Sequence, residues 1–213
     1  MGNIKSNKNI YLFDLDGTLI NSAPEIIKTY NAVFLKHNIK LTREVSIDLI
    51  GPPLKETMSV LVPFDDEDKL NSLINDFIDL YDDKFCYESL LYKGAYEMLN
   101  NLSKQKRLII ITNKRLIPTE KILSCLGIRH FFEKCFSLDS NNQLLTNKSL
   151  LIKNVLKSMK LDAKKCIYIG DTEGDFNASR DNNIDFIFAK YGYGDSKIKF
   201  LNEINDISDL DII

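Results

Sequence analysis

Three short apolar runs in this chain stop abruptly at a polar residue. They are Ile10-Tyr11-Leu12-Phe13 before Asp14, Leu108-Ile109-Ile110-Ile111 before Thr112, and Cys166-Ile167-Tyr168-Ile169 before Gly170-Asp171. A weaker fourth runs from Ile184 to Phe188. Segments this short, β-branched and apolar on both faces, predict strands of a parallel sheet covered by helices. Between the later runs the apolar positions switch to helical spacing. Leu151, Ile152, Val155, Leu156 and Met159 form a stripe within Ser149 to Lys160, and Ile122, Leu123, Cys125 and Leu126 form another ahead of Gly127. Strand and helix alternate through the second half, which predicts an open α/β sheet.

The first half is built differently. After the strand that ends at Asp14, no further parallel strand is expected before Leu108. The intervening stretch carries two helical patterns. One is Pro24 to His37, with Ile26, Ile27, Tyr30, Val33 and Phe34. The other is Asp65 to Phe85, with Leu70, Leu73, Ile74, Phe77, Ile78 and Tyr81. The second opens on Asp65, Asp66, Glu67 and Asp68, where a helix N-terminus favours negative charge. An insertion of about 70 residues suffices for a small subdomain. Its expected hinges are Asn21-Ser22-Ala23-Pro24 and Leu91-Tyr92-Lys93-Gly94. The organisation predicted is an α/β core from residues 1–21 and 93–213, with residues 22–92 as a helical cap.

Composition limits the chemistry. The 213 residues are 44% hydrophobic and 27% charged, which suits one soluble domain or a core carrying an insertion. A net charge of −2 supplies no field to draw the chain to nucleic acid or an anionic membrane. No apolar run approaches the ~20 residues that span a bilayer. Met1 to Asn9 lacks the apolar core of a secretory signal, so a cytoplasmic setting is expected. Cys86, Cys125, Cys135 and Cys166 form no CxxC pair, and four buried thiols in a reducing compartment are expected. Only two histidines, His37 and His130, are present, which leaves catalysis to carboxylates.

The strand ends carry those carboxylates. In open α/β sheets ligands bind beyond the carboxyl ends of the strands, so Asp14, Thr112 and Asp171 are expected to face one crevice. In Asp14-Leu15-Asp16-Gly17, two aspartates at alternate positions of extended chain share a side. Like charges that close call for a cation or a shared proton, although an Asp-Gly turn after a buried strand reads similarly. Thr112 and Asn113 suit phosphoryl oxygens or the cap of the next helix equally well. Asp171 and Asp175 can reach one hard cation, while Asp175 also suits acidic capping of a helix. Lys148, between the second and third strand ends, is either a solvated surface lysine or the cation across from a phosphate.

Asp14-Leu15-Asp16-Gly17-Thr18, Thr112, Lys148 and Gly170-Asp171-x-x-x-Asp175 resemble, in order and spacing, the four motifs of the haloacid dehalogenase superfamily. The resemblance runs from Ile10 to about Gly194. The helical insertion, Ile50-Gly51-Pro52-Pro53-Leu54, Thr112-Asn113-Lys114 and Tyr191-Gly192-Tyr193-Gly194 are similar to the phosphoglycolate phosphatase-like branch. Lys93, where relatives often have proline, and Asn182-Asn183, in place of Ala-Gly, depart from it mildly. The resemblance implies a Rossmann-like open parallel sheet with helices on both faces and an inserted all-helical cap.

It also implies roles. Asp14 would be the nucleophile and Asp16 the acid and base. Mg²⁺ would be held by the carboxylates of Asp14 and Asp171 and the backbone carbonyl of Asp16, with Asp175 nearby. Thr112, the Asn113 amide and Lys148 would hold phosphoryl oxygens. Asp16 favours phosphate esters, because the dehalogenases need no acid for a halide. The activity implied is a Mg²⁺-dependent phosphomonoesterase for a small metabolite: phosphoglycolate first, then nucleoside 5′-monophosphates or sugar phosphates. Other readings are a β-phosphoglucomutase-like phosphotransferase and, outside enzymes, a phosphate-binding regulatory protein. A signalling receiver is disfavoured by the insertion after the first strand. The expected partner is a small phosphorylated substrate, with no nucleic acid or membrane, and the chain is expected as a monomer or weak homodimer. Gly51-Pro52-Pro53 with Lys55 reads either as a cap loop entering the site or as a rigid turn.

Overall fold

The computed structural model describes residues 8–140, 145–195, 197 and 199–212. Each expected apolar run forms a strand, and the chain runs as follows. β1 (Ile10–Phe13) leads through a tight loop to β2 (Ile20–Asn21). Three helices come next, α1 (Ala23–Lys36), α2 (Leu54–Leu61) and α3 (Glu67–Asp83), and then β3 (Leu90–Leu91). The second half continues through α4 (Ala95–Leu102), β4 (Arg107–Thr112), α5 (Leu116–Cys125) and β5 (Lys134–Ser137). It ends through α6 (Lys148–Ser158), β6 (Cys166–Gly170), α7 (Glu173–Asp181), β7 (Asp185–Ala189) and β8 (Glu203–Ile204).

Six strands form one sheet in the order β5-β4-β1-β6-β7-β8, and its pairings are parallel. The chain builds outward from β1 through β4 to β5, then returns to β6 on the other side of β1. The strand order therefore reverses between β1 and β6, where ligands of such sheets bind. The register sets what meets there. Phe13 pairs with Ile110 on one side and Ile169 on the other. The Asp14 N–H continues the ladder by donating to the Ile169 carbonyl at 2.9 Å.

Alternation along the strands explains why both faces are apolar. Tyr11, Phe13, Leu108, Ile110, Ile167 and Ile169 pack with Met98 and Leu99 of α4 and with Ile122 and Leu123 of α5. Ile10, Leu12, Ile109, Ile111 and Tyr168 pack with Leu151, Ile152 and Val155 of α6 and Ala178 of α7. Burying a side chain of this size contributes roughly 1.5–3 kcal/mol, so the two layers dominate the stability of the sheet.

The residues between β2 and β3 are helical, as the spacing predicts. Tyr30 on α1 meets Phe77 on α3 with ring centroids 4.5 Å apart, and Phe77 stacks on Tyr81 at 5.7 Å. Asp66 caps α3 by accepting from the Lys69 N–H at 3.1 Å. Ile20 pairs with Leu91 and Asn21 with Leu90 in a two-stranded antiparallel ribbon, so the helical segment leaves and rejoins the core side by side. Its apolar residues nevertheless belong to the same cluster as the α4–α5 face of the sheet. Topology rather than a gap in packing separates the two.

The structure corrects one expectation. All four cysteines are free thiols, but only Cys86 and Cys166 are buried. Cys125 ends α5 on its exposed side, and Cys135 lies half-buried on the edge strand β5. No helix among the described residues is long and apolar enough to cross a membrane.

Candidate active site

The loop after β1 positions the first two aspartates. The Leu19 and Ile20 N–H groups both donate to the Leu15 carbonyl, at 2.9 and 3.1 Å, and fold the chain back on itself. Gly17 makes this turn at φ +79°, and a Cβ there would lie 2.1 Å from an oxygen of Asp171. The position therefore needs glycine both for its backbone and for the close approach of the third aspartate.

Asp14, Asp171 and Asp175 come together. They are 5%, 0% and 0% exposed, and one carboxylate oxygen from each lies within 4.8 Å of the others. Asp171 accepts from the Thr18 hydroxyl at 3.0 Å and the Tyr193 N–H at 2.7 Å. Asp175 forms a capping box with Thr172 at the start of α7, its Oδ2 accepting from the Thr172 N–H at 3.0 Å. The capping role and the place in the cluster are thus held by one residue. Its Oδ1 accepts from the Lys148 ammonium, which also lies 3.0 Å from Asp14 Oδ1. That Asp14 oxygen is buried and accepts no hydrogen bond.

Electrostatics follow from this crowding. Burial pushes the Asp14 carboxyl up to about 7, against the pull of Lys148 and with the help of Asp175 and Asp16. Burial, then Asp175 and Asp14, hold Asp171 well above the carboxylate range. Burial opposes the charge on Lys148, but Asp14 and Asp175 outweigh it and keep the ammonium charged. Three buried carboxylates against one lysine are short of positive charge, and all their donors are hard oxygens. This set fits a divalent cation such as Mg²⁺.

Asp16 stands apart from that cluster. Its two oxygens lie 3.0 and 3.2 Å from the Lys114 ammonium, and the Ser22 hydroxyl donates to one of them. Lys114 is itself buried over the Tyr81 ring, 4.6 Å from its centroid. Burial works against its charge, yet Asp16 and Tyr81 raise its pKa well above the ordinary value. The Asp16 side chain is thus free of the three-carboxylate group, which is compatible with a backbone-carbonyl role toward a cation.

Thr112 ends β4 and is 1% exposed, its hydroxyl accepting from the Lys114 N–H at 3.2 Å. The Asn113 side chain donates to the Gly51 carbonyl at 2.8 Å, tying this loop to the Gly51-Pro52-Pro53 turn. A cavity of about 520 Å³ extends from Asp14, Asp16, Thr112 and Asn113 to the inner faces of α1 and α3. Lys55 lines it, but its ammonium pairs with Glu67 at 2.9 Å and is largely exposed. A second cavity, of about 630 Å³, reaches Lys148 and Asp175 from the other side of the Gly51–Pro53 turn.

Lys114 and Ser22 bond Asp16, and Thr18 and Tyr193 bond Asp171, although none of the four stands out as a site residue in the sequence. Lys114, Thr18 and Tyr193 fall inside recognisable motifs, which was the available signal. Tyr193 also accepts from the Ser22 and Ala23 N–H groups at 2.7 and 3.0 Å, where the chain enters α1.

Comparison with known proteins agrees with this architecture. Residues 11–189 match the profile described as haloacid dehalogenase-like hydrolase. A phosphoglycolate phosphatase from Colwellia psychrerythraea is 32% identical over 196 residues, covering 87% of this chain and 86% of that protein. Pyrophosphatase PpaX from Halalkalibacterium halodurans is 30% identical over 169 residues, covering 78% and 76%. Among solved structures, a predicted phosphatase from Clostridium acetobutylicum superposes with a TM-score of 0.83 at 28% identity, covering 96% and 97% of the two chains. A predicted phosphoglycolate phosphatase from Haemophilus somnus shares the fold, with a TM-score of 0.86 at 22% identity over 98% of each chain.

Proposed function

This chain belongs to the haloacid dehalogenase-like hydrolase family, and we propose that it is a Mg²⁺-dependent phosphomonoesterase working through an aspartyl-phosphate. The observation that carries the reading is the buried group of Asp14, Asp171 and Asp175 beside Lys148, with Asp16 held separately by Lys114. The reference substrate is phosphoglycolate, for which the 32% identical relative is named.

In this reading a carboxylate oxygen of Asp14 attacks phosphorus, the ester P–O bond breaks, and Asp16 gives its proton to the departing alkoxide. Water then attacks the phosphorus of the aspartyl-phosphate and passes a proton to Asp16. The Asp14 carboxylate leaves, and inorganic phosphate is released. Lys148, the Thr112 hydroxyl and the Asn113 amide hold the phosphoryl oxygens. Asp14, Asp171 and the Asp16 carbonyl would hold Mg²⁺, with Asp175 beside it. When bound, the ion offsets negative charge on the transferring phosphoryl group. Residues 22–92 act as the cap, which covers the crevice and excludes water. The setting is cytoplasmic.

Phosphate release from phosphoglycolate and other phosphorylated metabolites, with Mg²⁺ and with EDTA, tests the proposal. Hydrolysis that needs Mg²⁺ and is lost in Asp14→Asn supports it. No hydrolysis of any ester, or an Asp14→Asn variant as fast as the parent, overturns it.

A further inference from the structure

The cavity that opens from Asp14 and Asp16 has an unusual wall for a substrate such as phosphoglycolate, which carries a carboxylate besides its phosphate. Its far side is Ile26 and Tyr30 from α1 and Ile74, Phe77, Ile78 and Tyr81 from α3. Tyr30, Phe77 and Tyr81 form a continuous aromatic row across it. The three cations among its described lining residues are all engaged by carboxylates. Lys114 is taken by Asp16, Arg115 by Asp82 and Lys55 by Glu67. Two more acids, Glu56 and Asp139, line the same space, and Asp139 is spent on the Leu116 N–H at the start of α5.

A carboxylate on the leaving group entering here would lose its hydration without gaining an uncommitted positive partner, a costly exchange. An apolar leaving group gains by the same transfer. The volume, about 520 Å³, also exceeds what a two-carbon acid fills. We propose that this cavity selects phosphate monoesters of neutral apolar alcohols, an arylmethyl alcohol fitting the aromatic row best, over esters whose leaving group carries a second negative charge. The inference rests on the phosphomonoesterase reading above and concerns only the leaving group.

Benzyl phosphate and phosphoglycolate both release a primary alkoxide, so comparing them isolates the contribution of the cavity. With Mg²⁺ present, kcat/KM for benzyl phosphate is expected to exceed that for phosphoglycolate by at least about tenfold. Phosphoglycolate hydrolysed equally well or better overturns the proposal and leaves the phosphatase reading standing. Hydrolysis of neither ester, nor of any other phosphomonoester, overturns that reading and this one with it. Ile78→Arg places an uncommitted cation on the half-buried wall. It is expected to raise kcat/KM for phosphoglycolate and lower it for benzyl phosphate, each by about tenfold. A folded Ile78→Arg enzyme with unchanged preference removes the cavity as the cause of selectivity. Should that variant not fold, the parent's ratio decides alone.

Discussion

The strand ends and the cavity above them are built from opposite materials. At the strand ends, four aspartates and two lysines crowd together with little exposure, and the position of each charge depends on its neighbours. On the inner faces of α1 and α3 the side chains are apolar, meet by shape, and each contributes its own buried area. Interacting charges in a low-dielectric space respond to a single change as a group, whereas apolar walls respond locally. Chemistry that must be the same in every turnover belongs with the first kind of material. Selection among substrates is suited to the second.

The sharpest way to break this contrast is Asp14→Asn. It is expected to lower the rate of phosphate release by at least ~10³-fold while leaving the melting temperature of the metal-free protein unchanged or higher, because it removes a carboxyl that burial disfavours. Retained activity would place the nucleophile elsewhere. Lys148→Met comes next, since it strands Asp14 and Asp175 without their shared cation. A loss of about 3 kcal/mol in urea denaturation, with a rate loss of ~10²-fold, is the expected result. A fully stable variant would mean that the strand-end charges are not coupled.

The pH dependence sharpens the comparison further. Asp14 is pushed from 3.8 to about 7 in the folded protein, so between those values the folded state keeps a proton that the unfolded chain has released. This group's contribution to metal-free stability therefore falls as pH rises from about 4 to about 7. Mg²⁺ competes with that proton, and its stabilising effect is expected to grow over the same interval. Urea denaturation at the two ends of the range, with and without Mg²⁺, measures both slopes. Asp14→Asn should make the metal-free one shallower, with the raised Asp171 carboxyl supplying what remains.

Changes in the wall should be smaller and separable. Ile74→Ala, at a half-buried position, is expected to cost about 1–2 kcal/mol and to raise KM a few-fold with kcat nearly unchanged. A collapse of kcat would show that the wall takes part in the chemistry. Lys55→Ala removes an exposed pair, and both melting temperature and kcat/KM should stay where they are.

The sequence revealed the parts whose signal is local. Strands that end in Asp14, Thr112 and Asp171 are continuous apolar runs because both faces of the sheet are covered, and α1, α3 and α6 carry complete stripes. β5 was missed because an edge strand of four residues, opening on Lys134, carries no such run. β2 and β3 have two residues each and α2 and α4 eight, too short for a period to register. In the site, Asp14, Asp16 and Asp171 were legible from strand geometry and motif. The Lys114–Asp16 pair spans 98 positions, and the bond from Tyr193 to Asp171 joins loops after two different strands, so both exist only once the sheet is assembled. The conflict over Asp175 dissolved because one carboxylate has two oxygens, one facing Thr172 and the other Lys148.

The short ribbon of Ile20–Asn21 against Leu90–Leu91 has a consequence beyond its four residues. It holds the two ends of the helical segment at strand spacing, so the core meets those residues as one closed loop. The entropy of closing a loop grows only with the logarithm of its length, about 0.6 kcal/mol for each doubling. From the core's side a segment of about 70 residues costs only about 2.5 kcal/mol more to close than a four-residue turn. Its length can therefore vary at little entropic cost to the sheet, so long as the side chains it shares with the α4–α5 face, Tyr30, Phe77 and Tyr81 among them, keep their packing.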